Sequence, residues 1–87
     1  MSVSKPNWSW DDEFEGGPLS CGELILALRE HFHTLTGGTR VLVHSADPGA
    51  SIDIPAWCWL TGHELAGDSH PYYLITVHRE GENSNGG

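Results

Sequence analysis

A two-layer α/β sandwich of order β-α-β-α-β-β is the fold this sequence predicts, on three observations. Leu24, Ile25, Leu28, Phe32 and Leu35 recur at the three- and four-residue spacing of a helix face. Thr39 to Ser45 is a compact β-branched run. Residues 63 to 79 hold two strand-like arms around Gly67-Asp68-Ser69-His70-Pro71.

The elements follow in order. Trp8, Trp10, Asp12 and Phe14 alternate with Ser9, Asp11 and Glu13, a two-residue period rich in aromatics that predicts a first strand with an acidic face. Gly16-Gly17-Pro18 breaks it, and the helical spacing that follows runs to Gly37-Gly38. In the next strand Val41 and Val43 share one face, Leu42 and His44 the other. Asp47-Pro48-Gly49 supplies a turn. Ile54, Trp57, Cys58 and Leu60 then mark a shorter helix closed by Gly62, with Asp53 or Ser51 as its cap and Pro55 expected in its opening turn, where amides have no intrahelical partner.

Strand, helix, strand demands a parallel crossover, while a closing hairpin is antiparallel, so the four-stranded sheet is mixed, with both helices on one face. Leu24, Leu28, Phe32, Val41, Val43, Ile54, Trp57, Tyr73, Ile75 and Val77 form the expected core. The opposite face would carry Leu42, Tyr72 and Leu74 without a third layer, either as scattered surface residues or as part of a partner surface. The expected single domain covers residues 8–79, with flexible termini at 1–7 and 80–87.

Twelve acidic side chains against four basic ones give a net charge of -8, which repels phosphate backbones and excludes direct nucleic-acid binding as the expected role. A protein partner should instead present a basic face. With no leader-like or membrane-spanning stretch, the expected location is the cytoplasm. Two cysteines, Cys21 and Cys58, without a C-x-x-C pair read as free thiols.

Cys21 stands where the Gly/Pro-rich loop meets the first helix. There the amides of Gly22, Glu23 and Leu24 and the helix dipole favour a thiolate, while Glu23 and the acidic residues Asp11, Asp12, Glu13 and Glu15 oppose it. The thiol is therefore expected to be modestly activated. His31 and His33 lie too far along the helix to act as its base. Cys58, between Trp57 and Trp59, reads as a core residue. The six histidines show no compact zinc spacing and read as surface residues, so no metal is expected.

ADPGASIDIPAWCWLTGHEL, residues 46 to 65, resembles the second block of the TusA/SirA-like sulfur-carrier family: its Asp-Pro turn, Asp-Ile-Pro helix start, aromatic-cysteine helix and Gly-His-Glu-Leu strand start. The resemblance covers about residues 12 to 79. It implies small β-α-β-α-β-β proteins that hold sulfur as a cysteine persulfide, need no cofactor, and exchange it with proteins such as a cysteine desulfurase, a rhodanese or another sulfurtransferase. In that family the sulfur-bearing cysteine opens a Cys-Pro-x-Pro motif before the first helix, and Cys21 occupies that place. The chain departs from the motif with Cys21-Gly22-Glu23-Leu24, which removes two fixed φ angles. Two functions follow: a sulfur carrier acting through Cys21, or a non-catalytic interaction module that keeps the fold without transfer.

Overall fold

The computed structural model describes residues 5–79, with Cys21 described by its backbone. Of the termini expected to be flexible at 1–7 and 80–87, residues 1–4 and 80–87 lie outside the described residues. The elements are β1 (Asp12–Gly17), α1 (Cys21–Phe32), β2 (Arg40–Ser45), α2 (Ala50–Thr61), β3 (Glu64–Ser69) and β4 (Tyr72–Thr76). They form one four-stranded sheet in the order β1-β2-β4-β3, with β1 parallel to β2 and the other pairings antiparallel.

The helices share one face of that sheet. Leu24, Leu28 and Phe32 of α1 and Ile54 and Trp57 of α2 pack on Val41, Val43, Tyr73 and Ile75, with Val77 completing the expected core and Ala50 and Cys58 joining it. The register explains the choice of face. Asp12, Val41, Ile75 and Leu65 lie abreast, as do Phe14, Val43, Tyr73 and Asp68, so Val41, Val43, Tyr73 and Ile75 of the two central strands fall under the helices together, flanked by Phe14 and Leu65.

Several boundaries move from those the sequence predicts. The ladder of β1 begins where the Asp11 amide donates to the Arg40 carbonyl at 2.8 Å, so Trp8 and Trp10 precede the strand. α1 ends at Phe32, because the Thr34 and Leu35 amides turn back to His31 and Phe32 in tighter three-residue bonds; Leu35 still reaches the core from this turn. α2 starts early. Asp47 Oδ1 accepts the Gly49 amide at 2.9 Å and the Asp47 carbonyl accepts the Ala50 amide at 3.0 Å, a turn with Asp and Pro in their favoured places that runs straight into the helix. Asp53 is therefore not the cap. Pro55 becomes the sixth helical residue instead of lying in the opening turn, and the bond it removes belongs to the carbonyl of exposed Ser51, which water can serve.

The expectation for the second sheet face is overturned. Leu42 is 2% and Leu74 4% exposed, although nothing from either helix reaches them. They lie abreast with Glu13 and Gly67 on that face, and the Trp8 ring rests there so closely that a Cβ on Gly67 would come within 2.9 Å of it. Trp10 Nε1 donates to Glu13 Oε2 at 2.8 Å and Lys5 Nζ pairs with Glu13 Oε1 at 2.9 Å. The aromatic alternation thus marks a segment laid across the sheet, and Gly67 is the residue that admits it. Lys5 holds the Glu13 carboxyl below its ordinary range, with the Trp10 bond acting the same way.

Phe32, Trp57 and His63 form a triangle of rings with centroids 5.0 to 5.4 Å apart. His63 Nδ1 accepts the His78 backbone amide at 2.9 Å, so the neutral ring carries its proton on Nε2. Burial, helped by the neighbouring His78, pushes the His63 pKa below its ordinary value.

Two outcomes follow from this packing. Gly67→Ala lowers the free energy of unfolding by about 1–3 kcal/mol through overpacking against Trp8. In a urea double-mutant cycle the same change costs much less on a Trp8→Ala background, and full additivity would show that the ring does not rest on Gly67. For His63, the folded state binds fewer protons than the unfolded one below the unfolded pKa, so its contribution is present at neutral pH and lost as pH falls through the depressed folded value. Melting temperature therefore drops on acidification below about pH 6.5, and the drop is shallower in His63→Gln.

Candidate functional site

Parallel pairing of β1 and β2 brings the starts of both helices to one end of the sandwich. Each helix follows a strand of the pair, and the Ala46 amide donates to the Gly17 carbonyl at 3.1 Å, tying the two strand ends together. The β3–β4 turn closes the same end, where the Pro71 carbonyl accepts the Ser45 amide at 2.9 Å. Here two positive helix poles lie beside the C-terminal ends of parallel strands, the usual place for a site in an open sheet.

Cys21 is the first residue of α1. Ser20 precedes it as the N-cap with extended backbone (φ -66, ψ 162), and Ser20 N and Oγ donate to Glu23 Oε1 at 3.3 and 3.2 Å. This is the capping pair that the spacing Ser20-x-x-Glu23 encodes. It folds the Glu23 carboxylate back onto Ser20, the residue before the helix start. Of the amides expected to face the sulfur, that of Leu24 is already committed to the Ser20 carbonyl at 2.8 Å. That leaves the Gly22 and Glu23 amides without a helix carbonyl, and in the capping box the Glu23 amide faces the Ser20 hydroxyl.

Leu24, in the place of the family motif's second proline, is wholly buried. Its Cδ1 fills the space beside buried Gly16, where a Cβ would stand 2.6 Å from that atom and 2.8 Å from the His44 carbonyl oxygen. Gly22 is the opposite case, exposed and with nothing within 4 Å of a Cβ. One end of the first turn is therefore clamped by Leu24 and the other left open to solvent.

Most of the acids expected to oppose a thiolate lie elsewhere. Asp12 Oδ2 meets His31 Nε2 at 2.6 Å near the far end of α1, Glu13 pairs with Lys5 on the open sheet face, and Asp11 Oδ2 accepts the Arg40 amide at 3.0 Å. Glu15 follows Glu13 on the face away from the helices, where its Oε2 accepts the Gly17 amide at 2.9 Å and meets His44 Nδ1 at 2.6 Å. The histidines read as plain surface residues from sequence thus have partners that only the fold supplies: His31 with Asp12, His44 with Glu15, His70 with the Tyr73 hydroxyl.

Cys58 is a free thiol, 2% exposed, and burial pushes its pKa up to about 12. It is packing, not chemistry. Four large apolar side chains remain outside: Leu26 on α1 and Ile52, Trp59 and Leu60 on α2, between 60% and 82% exposed. Sequence spacing put Leu60 with the buried positions, and the observed phase of α2 turns it out.

No protein-family model matches the chain. Among curated proteins it is similar to the sulfur carrier protein TusA of Pseudomonas entomophila, 35% identical over 74 residues that cover 83% of this chain and 92% of that relative. The protein of the same name in Pseudomonas syringae pv. syringae is 32% identical over 68 residues, covering 78% of this chain and 81% of the relative. That of Pseudomonas putida strain F1 is 38% identical over 47 residues, covering 54% and 59%.

The two glycines flanking the helix start should respond to the same added methyl with opposite signs. Gly22→Ala stabilises the protein by about 0.5–1 kcal/mol, because it restricts the unfolded chain and meets no atom. Gly16→Ala destabilises by about 1–3 kcal/mol, because the His44 carbonyl is backbone and cannot give way cheaply. Thermal melts of the two variants distinguish this arrangement from one in which both positions are equally open.

Proposed function

The chain belongs to the TusA-like family of sulfur carriers, and from that premise we propose that it carries sulfane sulfur as a persulfide on Cys21. The observation that carries the reading is the position of Cys21 as first residue of α1, capped by Ser20 and followed by two amides free of helix carbonyls. A thiolate there attacks the outer sulfur of a donor persulfide; the new S–S bond forms as the donor's S–S bond breaks, and the donor cysteine leaves as a thiolate. Delivery is the same exchange in reverse, to an acceptor nucleophile. No net oxidant is consumed and no cofactor is needed.

The residues around Cys21 suit that task in different ways. Gly22 presents its amide to a sulfur anion, Glu23 does so in competition with the Ser20 hydroxyl of the capping box, and the dipole of α1 adds to them. Leu24 contributes by packing, since its amide is spent within the helix. The capped Glu23 carboxylate works against the anion, which lowers the fraction of thiolate while leaving each thiolate a stronger nucleophile, so activation by the helix start stays moderate. Open space at Gly22 leaves room for the partner cysteine to approach. Donors of the desulfurase or rhodanese kind would dock through a basic face onto this acidic chain, in a reducing compartment such as the cytoplasm.

Incubation with a cysteine desulfurase and cysteine, or with thiosulfate and a rhodanese, should add one sulfur atom to the intact chain by mass spectrometry, and Cys21→Ser should abolish the gain. In the same preparation Glu23→Gln speeds alkylation of Cys21 by iodoacetamide, because a negative charge at the helix start is removed. A chain left unmodified by both donor systems would instead identify an interaction module that has lost transfer along with the motif's prolines.

A further inference from the structure

The opposite end of the sandwich holds a cavity of about 330 Å³ between the C-terminal turns of α1 and α2, the entry to β3 and the segment that leaves β4. Among the described residues its wall carries Arg29, Arg79, His33, His63 and His78, over the rings of Phe32 and Trp57, and no carboxylate. In a chain with twelve acidic residues and four basic ones, that composition is unusual: half of the cations meet at one concavity that none of the described acids lines. Neither guanidinium makes an ion pair among the described residues.

A simpler account would have these cations complement the negative poles of the helices. Arg79 does part of this, its Nη1 donating to the carbonyls of His33 and Leu35 at 3.2 Å each. Arg29 does not, for its side chain reaches no carbonyl among the described residues. The second helix needs no such help: the Gly62 amide donates to the Cys58 carbonyl at 2.9 Å and Thr61 Oγ1 to the Trp57 carbonyl at 2.7 Å. Each helix pole is worth roughly half a negative charge, so two guanidinium groups leave the cavity with a net positive field. The remaining acidic surface is screened beyond about 8 Å at physiological salt.

The rings set the rest of the chemistry. The His63 ring stands against Phe32 and Trp57, and because its Nδ1 accepts the His78 amide, its Nε2–H is the nitrogen left to donate. A cavity of this size is at the small end of ligand sites. We propose that it binds a small organic dianion of about one ring, its acid groups meeting Arg29 and Arg79 and its apolar part lying along Phe32, Trp57 and His63. The site is separate from Cys21, at the other end of a helix about 18 Å long.

The test is titration of the ¹⁵N-labelled protein at pH 7 with phthalate (benzene-1,2-dicarboxylate), followed by backbone amide shifts. The expected result is saturable movement of His33, His63, His78 and Arg79 with a dissociation constant below about 1 mM. Uncharged phthalamide leaves those signals in place, Arg29→Gln weakens binding by about tenfold or more, and Cys21→Ser leaves it unchanged. Arg29 is exposed and bonds to nothing that holds the fold, so its variant remains a test even where Arg79→Gln is unstable. Absence of saturation, an equal response to phthalamide, or phthalate binding indifferent to Arg29→Gln would overturn the proposal. Inorganic sulfate saturating the same amides at the same concentration would overturn the assignment of an organic ligand.

Discussion

The parallel pairing of β1 with β2 is the constraint on which the rest of this molecule depends. A parallel neighbour cannot be reached by a tight turn, so the chain must cross over the sheet, and the crossover is α1. The second helix leaves β2 in the same direction. Both helices therefore begin at one end, where the Ala46–Gly17 bond draws the strand ends together, and finish at the other. The polarity of the molecule is a consequence: amide donors and helix starts at one pole, carbonyl-rich helix ends at the other. Chemistry that wants an anion held near backbone amides has one natural pole, and the cationic side chains at the opposite pole offset a field of the contrary sign.

Within that frame, the first turn of α1 is defined by packing below and capping above. Leu24 fits beside Gly16 because neither Gly16 nor the His44 carbonyl leaves room for anything else, which fixes the phase of the helix. The Ser20–Glu23 pair then fixes where it starts. A sequence that has lost both prolines of the family motif thus still has a defined helix start, through a side-chain cap and a buried leucine where the family uses restricted φ angles. The frame of the turn is different in kind, and Gly22 leaves it open on the solvent side.

Much of the fold could be read from residues alone, because its core obeys simple periods. All ten expected core residues are buried, since the helix and strand faces that carry them meet each other and nothing else. The local pattern misleads where a long-range contact, not a local period, sets the structure. Trp8 and Trp10 alternate like a strand, yet they belong to a segment crossing the open face, and only the register of Gly67 beside Leu74 provides the gap for Trp8. Leu42 and Leu74 looked uncovered for the same reason. The helix-start position of Cys21 was legible, but the commitment of the Leu24 amide and the removal of Asp12, Glu13 and Asp11 to other parts of the sheet were not. The cationic cavity joins residues from three separate stretches of chain, and no local pattern announces such a meeting.

The burial of Cys58 has a bearing on how sulfur would be kept. A persulfide is vulnerable to any second thiolate within reach, which closes a disulfide and expels the outer sulfur as hydrosulfide. With its pKa near 12 and its sulfur enclosed between the helices and the sheet, Cys58 stays protonated and out of contact. Sulfur loaded at the helix start would then face no internal thief, and the moment of its departure would be decided by the protein that receives it.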